Sequence, residues 1–482
     1  MPIRRVEPYG QVRTKIVATV GPASRDPAVL REMVEAGVDV VRINFSHGTH
    51  DEHTAALAAV RATSEETGRV LAVLQDLAGP KIRLEAIPGG EVHCRLGDEF
   101  TLVDTRTADD PHQLTCTYRD LIQDLTIGDA VLFADGAVAM TVDEVQGDRA
   151  RMTVTLPGRL RSNQGLNLPG AALKVKALTD KDLRDLDWSA RAGVEYVGLS
   201  FVRSAADVAW LRRELAARGS RARIVAKIEK PQAVAELEAI VAEADAVMVA
   251  RGDLGVEMDV AVVPAIQKRI IAACHRARVP VITATQMLNS METSSRPTRA
   301  EASDVFNAVL DGTDALMLSG ETAIGSYPVE AVATMSHIAA EAESLLPAGR
   351  VELGPSSRPG WITPITDGVV DAASLASRRL GAKLLVVATH SGRTALALSK
   401  HRHPTPTLAL TYDPEVARTL ALYWGVTPVH FPGAPNAEQE LPFALDWAKA
   451  RHLIAPGDRV VLIRGTTPGN PSHNAMIVQE VG

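Results

Sequence analysis

Residues 14–48 read TKIVATVGPASRDPAVLREMVEAGVDVVRINFSHG, and two periodicities meet in them. TKIVATVG (14–21) and VDVVRINFSHG (38–48) are near-continuous apolar runs, the pattern of strands buried on both faces of a parallel sheet. Between them DPAVLREMVEAG (26–37) is a capped amphipathic helix that stops at Gly37. Strand, helix and strand at this spacing make a parallel crossover unit.

Outward from this unit the rhythm continues. VLAVLQDLAGP (70–80) is a third apolar run. After a break come YVGLSFVRS (196–204), RIVAKIEK (223–230), DAVMVARGDLG (245–255), PVITATQML (280–288) and DALMLSGETA (314–323), with helical patterns such as 231–244 and 264–277 between them. Eight such units are the number that closes a βα barrel. The break, 85–177, reads differently: EFTLVDT (99–105), DAVLFADGAVAMTVDEV (129–145) and RARMTVTL (149–156) alternate apolar and polar residues around turns such as Asp135-Gly136. That predicts an antiparallel β domain. Inserted after the third barrel strand, on the face where barrels carry their chemistry, it is placed to act as a lid. LLPAGRVELGPSSRPG (345–360) reads as a linker. Beyond it LLVVAT (384–389), TPTLALT (405–411), TPVHF (427–431) and RVVLIRG (459–465) alternate with helical segments, which predicts a separate α/β domain. The expected division is 1–84 and 178–345 for the barrel, 85–177 for the insert and 346–482 for the C-terminal domain.

The 482 residues are 46% apolar, 23% charged and 4% aromatic, enough chain for several cores and too apolar for a disordered class. Lys and Arg number 51 against 58 Asp and Glu, a net charge of −7. No nucleic-acid partner is expected, and any polyanion must be held locally. Cys94, Cys116 and Cys274 are odd in number and far apart, so neither a disulfide framework nor a Cys-rich zinc site is expected, and a cytoplasmic location is. MPIRRVEPYGQ (1–11) leads into no apolar segment, and no apolar run reaches about 18 residues, so neither a secretory signal nor a membrane span is expected.

Strand alternation places Lys227 and Glu229 on one side of the fifth strand, at the C-terminal mouth of the barrel. The sixth strand is read as ending in Arg251, Gly252 and Asp253. Two carboxylates from adjacent strands, Glu229 and Asp253, suit a hard divalent ion, Mg²⁺ or Mn²⁺, that keeps waters and takes further ligands from a substrate. Lys227 would stabilise negative charge there, and Gly252 would let the backbone approach a ligand and offer its N–H. Arg42, Asn44 and Ser46 share one side of the second strand: a guanidinium that can fork a phosphate, then two neutral oxygens for a cation. Strand three brings Asp76, then Gly79-Pro80-Lys81-Ile82-Arg83. Thr285, closing strand seven, reads on this basis alone as a structural hydroxyl. His47, His50 and His53 recur at a helix start without a fourth soft ligand, and are read as solvated or capping rather than zinc-binding. In the C-terminal domain Thr389 leads into His390-Ser391-Gly392-Arg393-Thr394, where strand, glycine turn and helix start form an anion nest. HRH (401–403) is read as a solvated face. The common nucleotide and zinc-protease motifs do not occur.

VRINFSHG (41–48), DLAGPKIR (76–83), KIEK (227–230), VARGDLGVE (249–257), PVITATQML (280–288), RPTRAEASDV (296–305) and LMLSGET (316–322) stand in the order and strand positions in which pyruvate kinases carry similar motifs. The resemblance runs from about Arg13 to the C-terminus. It implies a (βα)8 TIM barrel with an inserted antiparallel β-barrel lid domain and a C-terminal α/β regulatory domain. It also implies a phosphotransferase that moves the phosphoryl group of phosphoenolpyruvate to ADP, giving pyruvate and ATP at the last step of glycolysis, as a cytoplasmic homotetramer. Carried over by motif, Glu229 and Asp253 resemble the ligands of Mg²⁺ or Mn²⁺. Lys227 resembles the lysine that stabilises the transferring phosphoryl group and the enolate oxygen. Gly252 and Asp253 would donate backbone N–H groups to the substrate carboxylate. Thr285 looks like the threonine linked to protonation of the enolate. Arg42 and Arg83 match phosphate and nucleotide contacts, and Asn44 to His47 flank the nucleotide. The nest of Thr389, Ser391, Gly392, Arg393 and Thr394 matches the place of a phosphorylated allosteric effector.

The chain departs from the family pattern in two places. Many members hold K⁺ near the residues matching Asn44, Ser46, Asp76 and Leu77, in a motif reading DTKGPEIR; this chain has Leu77 and Ala78 for the threonine and lysine, and Lys81 for the glutamate. An ammonium can supply the charge of a monovalent cation, so activity without K⁺ is expected. Gln164 stands where a lysine is usual, and ALKVKALT (172–179) is more basic than usual, so nucleotide contacts made by the lid are expected to differ. Two other readings, a metal-dependent aldolase and a non-enzymatic metabolite sensor, fit less well. Lys227, Thr285 and the insert tell against the first, and the retention of Arg42, Lys227, Glu229, Asp253 and Thr285 against the second.

Overall fold

The computed structural model describes residues 12–482 except 106, 109, 171–174, 347–360, 434–436 and 467–471. The N-terminal stretch 1–11, Lys174 and the linker from residue 347 onward lie outside the described residues. In chain order the strands are β1 (Lys15–Thr19), β2 (Val40–Asn44) and β3 (Ala72–Asp76). The insert supplies β4 (Glu91–Cys94), β5 (Glu99–Val103), β6 (Gln113–Leu114), β7 (Ala130–Phe133), β8 (Val138–Gln146), β9 (Arg149–Leu156), β10 (Gly158–Arg161) and β11 (Leu166–Asn167). Then follow β12 (Tyr196–Leu199), β13 (Arg223–Ile228), β14 (Ala246–Ala250), β15 (Val281–Ala284) and β16 (Ala315–Leu318). The C-terminal domain holds β17 (Leu384–Ala388), β18 (Thr407–Thr411), β19 (Val426–His430), β20 (Arg459–Arg464) and β21 (Ala475–Glu480).

The eight strands β1–β3 and β12–β16 pair in parallel and close into a barrel. Alternation decides which way each side chain goes: Val17, Val40, Leu74, Val225, Met248, Ile282 and Met317 fill the interior, while Ile16, Val41, Ile43 and Val73 pack outward. Outside lie helices such as Pro27–Ala36, whose Asp26 carboxylate accepts from the N–H groups of Ala28 and Val29, and which buries Leu30, Met33 and Val34. The (βα)8 expectation is met.

The insert differs from a purely antiparallel reading. Its six-stranded sheet runs β11-β7-β8-β9-β5-β6, with β4 and β10 as a separate ribbon, and the β5–β6 pair is parallel. Residues entering the insert close it: Arg83 bridges to Gly165 beside β11, and Leu84 to Cys116 beyond β6. The C-terminal domain is a five-stranded sheet, β19-β18-β17-β20-β21, parallel except for β21. Its Leu420, Leu422 and Tyr423 share one apolar cluster with the barrel interior.

Three readings are corrected. β14 stops at Ala250, and Arg251–Glu257 is a short helix, so Gly252 and Asp253 lie in a helical first turn rather than at a strand end. HRH at 401–403 is not a solvated face: His401 is 1% exposed and His403 5%, while Arg402 bonds to barrel residues. His53 is neither solvated nor capping. It is buried with its ring 4.0 Å from that of Phe45, whereas the helix cap is Thr49 with Glu52, and His50 bonds to Asp185 at 2.8 Å. His47 is exposed. The three cysteines are free and buried. No helix among the described residues is long and apolar enough to cross a membrane.

Candidate active site

β2, β3, β12 and β13 deliver a chain of buried polar groups to the C-terminal mouth of the barrel. Lys227, on β13, donates from Nζ to Ser200 Oγ at 2.7 Å and lies 2.9 Å from Glu229 Oε1 and 3.2 Å from Asp76 Oδ1. Asp76, ending β3, is gripped on its other oxygen by Arg42 of β2, whose Nε and Nη2 both lie at 2.7 Å while Nη1 donates to Thr19 at 3.0 Å. The register explains the meeting, because Asn44 stands opposite Asp76 and Asp76 opposite Gly198 on β12. Gly198 is small for a reason: a Cβ there would sit 3.1 Å from Asp76 Oδ1. Glu229 is pinned by the N–H of Phe201 at 2.7 Å.

These charges tune one another. Burial opposes ionisation of Asp76, but Lys227 and Arg42 outweigh it and hold the carboxyl below its ordinary value. Burial likewise works against the Lys227 ammonium, and Asp76 and Glu229 outweigh it, so the lysine stays charged. Glu229 goes the other way: burial, helped by the charge of Asp253, raises it despite Lys227. Arg42 and Lys227 against Asp76, Glu229 and Asp253 give +2 − 3 = −1. A divalent cation beside Glu229 and Asp253 would turn that surplus positive and leave the mouth suited to an anionic substrate. Two carboxylates are few ligands, and no cluster of three or more metal-ligating side chains exists among the described residues, so such an ion would depend on water and substrate oxygens.

Two strands from β13, Thr285 stands just past β15 with φ +67°, followed by Gln286 at +54°. A β-branched residue in the left-handed region costs on the order of 1–3 kcal/mol and needs outside support. Its Oγ1 accepts the N–H of Gly252 at 2.7 Å and donates to the carbonyl of Ala284 at 2.7 Å. The Gly252 N–H, expected to be open to a ligand, is thus spent on Thr285 in this structure.

Other expected residues are placed apart from this chain. Asn44 Oδ1 accepts from the N–H of exposed Ser46, forming a local turn. Leu77 is buried and engages Ser200 only through its carbonyl. Lys81 forms no ion pair among the described residues and points to the insert, its Nζ 3.8 Å from where a Cβ on Gly165 would lie. It lines a small cavity with Asn167, Arg203, Lys230 and Glu257. Arg83 donates to the carbonyl of Asn163 in the insert, and Gln164 accepts from the Arg161 N–H. In the C-terminal nest Thr389 Oγ1 accepts the N–H of Gly392 at 3.0 Å, Thr394 pairs with His473 at 3.0 Å, and the Ser391 carbonyl accepts from Arg223 of β13 at 3.0 Å. Ser391 and Arg393 are exposed. Sequence reasoning missed Ser200 and Thr19, and it named Arg251 only as a strand end without a role. Ser200 follows the fourth barrel strand, and the strand-end rule that found Lys227 points to it as well.

Comparison with known proteins gives a consistent result. A family model described as "Pyruvate kinase, barrel domain" matches residues 11–332, and one described as "Pyruvate kinase, alpha/beta domain" matches residues 367–479. The chain is 44% identical over 477 residues to the pyruvate kinase of Mycobacterium tuberculosis (strain ATCC 25618 / H37Rv), covering 98% of each protein. It is 42% identical over 473 residues to pyruvate kinase 2 of Synechocystis, covering 97% of this chain and 79% of that protein. It is 40% identical over 473 residues to the pyruvate kinase of Geobacillus stearothermophilus, covering 97% and 80%.

Proposed function

The chain belongs to the pyruvate kinase family and is a phosphotransferase, and from that premise we propose that it transfers the phosphoryl group of phosphoenolpyruvate to ADP with Mg²⁺ or Mn²⁺, forming pyruvate and ATP as the closing step of glycolysis in the cytoplasm. The observation that carries this reading is the buried chain Arg42, Asp76, Lys227 and Glu229 at the barrel mouth. Asp76 holds Arg42 and Lys227 side by side, so two cations are fixed in advance where charge spreads over the transferring oxygens, and no reorganisation is needed during reaction. Glu229 and Asp253 would hold the divalent ion, which neutralises phosphate and carboxylate charge when bound. As the bond between phosphorus and the enol oxygen breaks and one to the ADP β-phosphate forms, the enolate is left beside Lys227. A proton must then reach its methylene carbon, converting the enolate to the keto acid. Thr285 would position that proton through its hydroxyl. Asn44, His47 and Arg83 would flank the nucleotide, and the insert would exclude water.

Activity without K⁺ follows in the same reading. Asp76, which a monovalent cation would otherwise neutralise, already faces two cations, and Lys81, turned toward the insert, stands where the K⁺-using motif has a glutamate, so the negative charge that K⁺ would balance there is missing. Thr389, Ser391, Gly392, Arg393 and Thr394 would receive the phosphate of an allosteric effector, in an enzyme assembled as a homotetramer. A coupled assay with phosphoenolpyruvate, ADP and Mg²⁺ tests the core reading: turnover is expected with K⁺ or with tetramethylammonium alike. A rate that collapses without K⁺ would overturn the K⁺ proposal, and no ATP under either condition would overturn the reaction itself.

A further inference from the structure

Thr285 and Gln286 form two successive left-handed turns at non-glycine residues, a backbone that needs an external hold. Arg251 supplies it. Its Nε donates to the carbonyl of Ala284 at 3.3 Å, and its Nη2 to those of Thr285 at 2.8 Å and Gln286 at 3.4 Å. Three consecutive carbonyls of the turn converge on one guanidinium. Its Nη1 is anchored by Asp304 at 2.7 Å and by Gln267 at 3.4 Å. Met287 Sδ also lies 2.7 Å from Nη2, so the five N–H donors of the guanidinium face six acceptor groups and all are engaged. The neighbouring residue completes the grip, since Gly252 N–H donates to Thr285 Oγ1 at 2.7 Å.

We infer that Arg251, anchored by Asp304, is a positioning residue for the proton-transfer half of the reaction: it fixes the left-handed backbone that aims the Thr285 hydroxyl. Arg251 has no donor left for a phosphate, so its effect falls on Thr285 and not on the transferring group. Lysine could not replace it, because a single ammonium cannot serve three carbonyls and a carboxylate with the same planar fork. The inference rests on the proposed role of Thr285, and the experiment separates the two.

Phosphoryl transfer is read by rapid-quench formation of ATP in a single turnover. The proton step is read separately, as exchange of pyruvate methyl protons into D₂O by NMR with Mg²⁺ and ATP. Arg251→Met is expected to slow exchange on the order of 10²-fold while slowing phosphoryl transfer by about threefold or less, with Arg251→Lys restoring little of the exchange. Equal loss in both halves, or loss in neither, would overturn the positioning role. Thr285→Val is run alongside. If it keeps full exchange, the role of Thr285 fails and the inference with it; if it loses exchange while Arg251→Met does not, only the inference fails. Should Arg251→Met not fold, Asp304→Asn decides, because it loosens the anchor and leaves the guanidinium in place. About a tenfold loss confined to exchange is expected from it, and an even loss or none rejects the inference.

Discussion

Lys227 sits 11% exposed between two carboxylates, and its neighbours fix what its removal does. Lys227→Met takes away the ammonium nearest the enolate oxygen, so kcat is expected to fall on the order of 10³-fold or more in the coupled assay. It also strands Glu229 and half of Asp76 without a cation. The variant should therefore melt lower at neutral pH and recover part of the deficit in acid, where the stranded carboxylates protonate. A variant with normal turnover would remove Lys227 from the mechanism. Glu229 gives a second test. Its folded pKa is raised above 4.5, so its charged form costs stability at neutral pH, a cost that disappears as pH falls through that raised value. A divalent ion offsets the cost only while the carboxylate is ionised. Mn²⁺ should thus bind more tightly and raise the melting temperature more at neutral pH than in acid below that raised value, and the difference should shrink in Glu229→Gln; pH-independent binding would show that Glu229 is not a ligand. Lys227 with Glu229 was legible in sequence because a period of two puts both on one strand face. The left-handed turn at Thr285 was not, since φ at a threonine leaves no compositional trace, and His53 misled because packing against Phe45 cannot be seen from its spacing.

At the scale of elements, the helix Arg251–Glu257 joins the mouth to the insert. Its first turn carries Gly252 and Asp253, and its last residue, buried Glu257, accepts from Lys230 at 2.6 Å and from Asn167 of β11 at 3.2 Å. A movement of the insert is therefore felt by the segment that bears Asp253. Asn167→Ala removes one of the two hydrogen bonds to the Glu257 carboxylate, the one that ties the insert to this helix, worth about 1 kcal/mol with Lys230 still in place. The expected result is a fall in kcat/KM for phosphoenolpyruvate of roughly twofold to tenfold, with the melting temperature little changed, because Lys230 still satisfies Glu257. An unchanged kcat/KM would show that this contact plays no part in closure. The barrel strands were legible as buried apolar runs. The helix was not, because RGDLGVE carries two glycines, which disfavour a helix, and its seven residues are too few to show a helical period. The closure of the insert by Arg83 and Leu84 was hidden for a different reason: two isolated bridges have no periodicity at all.

Across the whole molecule, the barrel and the C-terminal domain share buried charge as well as apolar core. Asp314, just before β16, is fully buried. It accepts from the Val281 N–H at 2.8 Å and faces two cations of the C-terminal domain, Lys400 at 2.6 Å and Arg402 at 3.0 Å. Arg402 also lies over the Trp424 ring, 4.5 Å from its centroid. Tyr196, at the start of β12, donates to the carbonyl of Thr419 at 2.6 Å, and Arg418 reaches Glu195 at 2.5 Å. Residues 401–403 looked like a solvated face because a run of His and Arg is usually one, and an interface between domains far apart in sequence leaves no local pattern. Burial favours neutral Asp314, but Lys400 and Arg402 outweigh it and hold the carboxyl below 3.8. Its contribution is therefore complete above that value and is lost only as pH falls through the lower folded one. Asp314→Asn keeps the shape but leaves Lys400 a fully buried cation with no counter-charge, at a cost of about 3–5 kcal/mol. That cost falls on the junction and not within either core. Calorimetry at neutral pH should thus show the C-terminal domain melting ahead of the barrel in the variant, while the unaltered protein melts with the two together. The gap between the proteins should narrow only in acid, as pH falls below 3.8 through the lowered value at which Asp314 itself protonates. If Asp314→Asn melts as one unit at the original temperature, the buried ion pairs do not couple the two domains, and the shared apolar core around Tyr423 must do so alone.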